Sequence, residues 1–138
     1  MIIAVDFDGT IVTHKYPEIG QPIRGAIETL KTVIKNDHKV FLWTVRGNKR
    51  CKGRDLLSEA IDYCHDNGLD LCGANCSPSQ FSSSPKQHAH IYIDDRAIGC
   101  PLKLDDNGNA YVDWRRIGLY LITINAMTEE QYNEIWNG

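Results

Sequence analysis

Three short apolar runs, Ile2 to Val5, Val40 to Trp43 and Ile91 to Ile93, constrain this chain more than any other feature, because each ends abruptly in polar side chains. They are rich in β-branched and aromatic residues and too short for helices, so they read as strands, and their unbroken apolarity predicts burial on both faces. Between them lie segments of helical period. The first sets Ile23, Ala26, Ile27, Leu30, Val33 and Ile34 on one face after Pro22; the second does so with Leu56, Leu57, Ala60, Ile61 and Cys64, with Gly68 as its stop. Alternating strand and helix imply right-handed crossovers and a parallel sheet, so the expected fold class is α/β, Rossmann-like, with helices on both faces. A length of 138 residues suits one domain spanning 1–138.

The rest of the chain is read by pattern. Ser77 to Pro85, with five serines and two prolines, predicts a loop, and a short strand near Leu69 to Leu71 is left open. Asp105-Asp106-Asn107-Gly108 predicts a turn. Trp114, Ile117, Leu121 and Ile122 fit a helix or a strand, with helix preferred, and Thr128-Glu129-Glu130-Gln131 has the form of a capping box opening a last helix.

In an open parallel sheet, reactive groups collect where the strands end. The three exits are Asp6-Phe7-Asp8-Gly9-Thr10, Thr44-Val45-Arg46-Gly47 and Asp94-Asp95-Arg96. Four carboxylates on one rim, Asp6, Asp8, Asp94 and Asp95, would repel one another by several kcal/mol per close pair, as Coulomb's law gives at an effective dielectric near 20. An oxygen-only cluster of that kind suits Mg²⁺, which pairs one or two carboxylates with water and substrate phosphate. An aspartate can attack phosphorus to form an acyl phosphate, which divides hydrolysis into two displacements. Asp8, two residues on and pointing the same way, is placed to move protons, and Gly9 allows the sharp turn that would expose backbone amides to an incoming phosphate.

Asp6-Phe7-Asp8-Gly9-Thr10 resembles the first motif of the haloacid dehalogenase (HAD) superfamily, most of whose members are phosphatases. The resemblance runs in order to about residue 95. Thr44, ending Phe41-Leu42-Trp43-Thr44, matches the second motif, which bonds phosphoryl oxygens, and Asp94-Asp95 matches the acidic fourth motif. The third motif is a lysine, for which Lys86 is the best match and Lys103 the rival. The resemblance implies Asp6 as nucleophile, Asp8 as general acid and base, and phosphate contacts from Gly9, Thr10, Thr44, Val45, Arg46 and Lys86. It also implies Mg²⁺ held by Asp6, the Asp8 backbone carbonyl, and Asp94 or Asp95. About a dozen residues separate Thr10 from the first helix, enough for a flap and not a cap domain. The expected protein is therefore a capless, Mg²⁺-dependent phosphatase acting on a phosphorylated nucleotide, sugar or nucleic-acid end. The alternatives are a phospho-accepting, receiver-like signalling domain and a non-catalytic phosphate-binding domain.

Arg46 to Arg54 carries five basic residues in nine and no acid, either a solvated loop or a grip for an anionic substrate. The net charge of −3 argues against a surface built to coat nucleic acid. No apolar run reaches the roughly 20 residues of a membrane span, no secretory signal is read at Met1 to Asp6, and five cysteines without C-x-x-C spacing suit a reducing compartment. A cytoplasmic protein without membrane contact is expected, and a homo-oligomer is left open. A zinc set of Cys72, Cys76, His88 and His90 has poor spacing, and His88 and His90 are expected simply to decorate the strand entry.

Overall fold

The computed structural model describes residues 1–48, 52–77 and 83–138. The elements run β1 (Ile2–Val5), α1 (Ala26–Lys35), β2 (Lys39–Leu42), α2 (Leu56–Asp66), β3 (Gly73–Ala74), β4 (Ile91–Ile93), β5 (Leu102–Leu104), β6 (Ala110–Val112), α3 (Trp114–Thr123) and α4 (Glu129–Asn137). The fold is mixed α/β. Strands β3-β2-β1-β4 form a parallel sheet in that order, with Val5 in register with both Leu42 and Ile93, and β5 and β6 form a separate antiparallel pair. Register matters for function here, because it brings the residues after Val5, Leu42 and Ile93 to one edge of the sheet.

The two faces of the sheet are covered differently. Ile3 and Val5, Val40 and Leu42, and Ile91 and Ile93 point into one cluster that also takes Leu30 and Val33 of α1, Ala60 and Cys64 of α2, Ile117 and Leu121 of α3, and Tyr132 of α4. Among the described residues all four helices therefore sit on one face, which corrects the expectation of helices on both. The strand order supplies the reason: β1, β2 and β3 step in one direction, and right-handed crossovers then put α1 and α2 on the same side. On the other face Ala4 and Phe41 are also buried, and the buried Gln87 of the connection leading into β4 lies there, its carbonyl taking the Tyr92 hydroxyl. That connection is not a helix among its described residues.

Three other differences have local causes. The strand left open near Leu69 to Leu71 forms instead at Gly73–Ala74, where Cys72 and Asn75 backbone amides bond Val40 and Leu42 carbonyls. The turn at 105–108 forms as expected, but it joins β5 to β6. Leu102 and Leu104 of β5 are exposed, so burial could not mark that hairpin in the sequence. At the C-terminus the capping box is complete: Thr128 accepts from the Gln131 amide while Gln131 accepts from the Thr128 amide. No helix among the described residues is long and apolar enough to cross a membrane.

Candidate active site

At the end of β1 the chain cannot continue straight, since Gly9 adopts φ +75°. A Cβ there would lie 2.3 Å from His14 Nε2 and 2.5 Å from Asp95 Oδ2, so glycine is required for both conformation and space. The turn is closed by its own backbone: Gly9 N–H donates to the Val12 carbonyl and Thr10 N–H to that of Phe7. These amides are spent, so the expectation that they face a phosphate is not met. The turn is further pinned from the C-terminal third of the chain. The buried Trp114 indole donates to the Thr10 carbonyl at 2.6 Å, and Val112 N–H donates to the Gly9 carbonyl.

Asp6, Asp94 and Asp95 converge, each with a carboxylate oxygen within 4.8 Å of the others. Three full charges at 4.8 Å would repel by about 3 kcal/mol per pair at an effective dielectric near 20. The strain falls on Asp6. Burial pushes its carboxyl up to about 8; the Phe7 amide opposes this, while a hydrogen bond with Asp95 and the charges of Asp94 and Asp95 add to it. Around the trio, the Thr10 hydroxyl lies 3.4 Å from both Asp6 Oδ2 and Asp95 Oδ1, and His14 Nε2 lies 2.8 Å from Asp95 Oδ2. Asp94 accepts from the Arg96 amide and lines the cleft.

Asp8 does not join the trio. Its two oxygens accept from Arg46 Nε at 2.9 Å and Nη2 at 2.8 Å, a bidentate pair with the guanidinium wholly buried. The same guanidinium donates to the Pro17 and Glu18 carbonyls and stacks between the Phe7 and Tyr16 rings, 5.1 and 5.3 Å away. Arg46 is thus a structural pin for the flap of residues 11–22, which corrects its assignment to phosphate binding. Arg54 is spent similarly, on Glu18 and Glu59. Of the five charges in the basic run, these two are neutralised internally, and Lys49 and Arg50 lie outside the described residues. The idea of a free basic patch therefore loses two of its members.

Thr44 sits at the exit of β2. Its hydroxyl accepts from the Arg46 amide at 3.1 Å and its amide donates to Asn75 Oδ1 at 2.9 Å, while Asn75 Nδ2 donates to the Arg46 carbonyl. Asn75 therefore braces the loop. Lys86 is not brought to the acids: it is exposed, with Nζ 5.3 Å from the centroid of the Tyr92 ring, and the rival Lys103 lines a separate cleft beside Arg24 and Trp136. The cation that does line the acidic cleft is Arg96, which makes no ion pair within 4.0 Å among the described residues. The cleft is small, about 90 Å³, and is lined by Asp6, Asp8, Asp94, His14 and Arg96 together with Tyr16 and Val45, whose exposure sets them at its rim. The residues missed from the sequence are thus His14, Asn75 and Arg96. Only Arg96 had a signal, its place directly after the paired acids. His90, for its part, accepts from the Ile2 amide and packs edge-on to His88, a structural role.

No family model matches this sequence, nor does any curated protein. A solved structure does: a conserved protein from Bacteroides thetaiotaomicron is 38% identical, with 95% of each chain covered and a TM-score of 0.70. The chain belongs to the same family as that protein. The likeness extends over 95% of the chain and is not confined to the sheet.

Proposed function

We propose that this protein is a Mg²⁺-dependent phosphomonoester hydrolase of the HAD superfamily, capless, in which Asp6 attacks phosphorus. The observation that carries the proposal is the convergence of Asp6, Asp94 and Asp95 at the ends of adjacent strands, where burial and the neighbouring carboxylates raise the Asp6 carboxyl and a cation would relieve them. The donor set fits a hard divalent ion: carboxylate oxygens only, mutually repelling and partly buried. Asp6 and Asp94 would hold the ion, with Asp95 fixed behind them by His14 and Thr10. When bound, Mg²⁺ supplies charge neutralisation for the carboxylates and for the phosphoryl oxygens.

The chain's own residues then do the following. Asp6 forms an acyl phosphate as the ester oxygen leaves, and water later attacks the phosphorus of that acyl phosphate, releasing inorganic phosphate and restoring the carboxylate. Asp8 lines the same cleft, and for it to give a proton to the leaving oxygen and take one from water, one of its two hydrogen bonds from Arg46 would have to open during turnover. Thr44 does not line the cleft but directly precedes Val45, which does, and its hydroxyl hydrogen would serve a phosphoryl oxygen that reaches the β2 exit. Arg96 supplies the positive charge at the cleft that Lys86 was expected to supply.

Turnover of p-nitrophenyl phosphate decides the matter. Wild type is expected to release p-nitrophenol with Mg²⁺ and to stop with EDTA, and Asp6→Asn to lose at least about a thousandfold, since removing a covalent nucleophile can cost about a millionfold. Equal activity in wild type and Asp6→Asn would remove Asp6 from the chemistry.

A further inference from the structure

Two large apolar side chains stand exposed at the mouth of a cleft otherwise walled by charge: Tyr16 is 53% exposed and Val45 85%. Scattered apolar groups on a surface need no explanation, but these two are held in place. One side of the Tyr16 ring faces the buried Arg46 guanidinium, which also bonds the carbonyls of the next two residues, Pro17 and Glu18. Arg54 fastens the Glu18 side chain to Glu59 on α2. Val45 lies between Thr44 and Arg46, whose backbone groups are both bonded to Asn75. A rigid ring with one free side is a contact surface whose ordering cost has already been met in folding.

The size of the cleft says what reaches that surface. At about 90 Å³ it is far smaller than the roughly 300 to 1,000 Å³ of sites that engulf a small molecule, so only a head group enters and the remainder lies at the mouth. We propose that the site selects phosphomonoesters whose alcohol carries a flat aromatic or heteroaromatic ring, with Tyr16 as the stacking platform and Val45 as a second apolar contact. Sugar phosphates without a ring system of that kind would have nothing to cover either side chain. This selection rests on the phosphohydrolase reading above.

The test compares phenyl phosphate and adenosine 5'-monophosphate with glycerol phosphate in wild type, Tyr16→Phe, Tyr16→Leu and Asp6→Asn. The ratio of kcat/KM for the ring-bearing esters to that for glycerol phosphate is expected to fall about tenfold in Tyr16→Leu, through KM, in line with measured base–aromatic stacking, and to persist in Tyr16→Phe. Loss of all substrates in proportion would mean that Tyr16 only supports the flap, and an unchanged ratio would mean that it contacts nothing; either overturns the proposal while leaving the dependence on Asp6 intact. Should wild type hydrolyse none of the three, the catalytic reading fails and calorimetry judges the platform: adenosine 5'-monophosphate should bind more tightly than inorganic phosphate, with that advantage lost in Tyr16→Leu. Equal affinities, or no binding, overturn it.

Discussion

Replacing Arg46 by methionine removes a wholly buried guanidinium while roughly keeping its apolar bulk. Asp8, whose side chain is 9% exposed, is left with neither of its charged donors, and the Pro17 and Glu18 carbonyls lose theirs. Breaking a buried pair by deleting one partner costs about 3–5 kcal/mol, because the other charge stays desolvated. For a chain of 138 residues, unfolding entropy near 2.1 cal/mol/K per residue turns that cost into a Tm lower by about 10 to 17 °C. The assay is thermal and urea unfolding of wild type, Arg46→Met, Asp8→Leu and the double variant. The double variant should recover much of the loss, since two apolar groups leave no stranded charge. A loss under about 1 kcal/mol in Arg46→Met would refute the view that this pair is largely desolvated, since that is the range of exposed pairs.

Three further outcomes follow from named contacts. Because the folded Asp6 carboxyl lies near 8 against an unfolded value of 3.8, the folded state binds more protons between those limits; stability of the metal-free protein should fall as pH rises from about 4 to 8, by up to a few kcal/mol, and Asp6→Asn should flatten that slope in urea titrations. Mg²⁺ should restore more stability at pH 8 than at pH 5. Gly9→Ala meets both a positive φ and a Cβ 2.3 Å from His14 Nε2, so a loss of about 2 kcal/mol or more is expected by thermal unfolding; a wild-type Tm would contradict the turn geometry. Thr128→Ala removes the cap of α4 and should cost about 1 kcal/mol, measured the same way, and no change would mean that α4 is held by Tyr132 packing alone.

The sequence made the strands and the acidic exits legible because both signals are local: a β-branched run followed at once by Asp6, Thr44 or Asp94. Trp114 to Ile122 was readable as a helix from spacing, yet that Trp114 bonds Thr10 across 104 residues was not, since nothing local encodes the partner. Arg46 shows the limit most clearly. Read among five basic residues it resembles a solvated charge, whereas the fold buries it against Asp8 and two carbonyls. His14 is illegible for the same reason, because a lone histidine in a flap acquires meaning only when Asp95 arrives from the end of β4. The connection before β4 misled in the opposite way: Lys86 stands at the right distance along the chain, but its ammonium faces Tyr92.

The central claim is that a carboxylate in this cleft bonds covalently to phosphorus, and beryllofluoride, which occupies an aspartate as a phosphoryl group does, tests it most directly. Fluorine NMR with Mg²⁺ should show one bound beryllofluoride per wild-type chain, lost on EDTA addition and absent in Asp6→Asn. The same bound signal in Asp6→Asn, or none in wild type at saturating Mg²⁺, would contradict it.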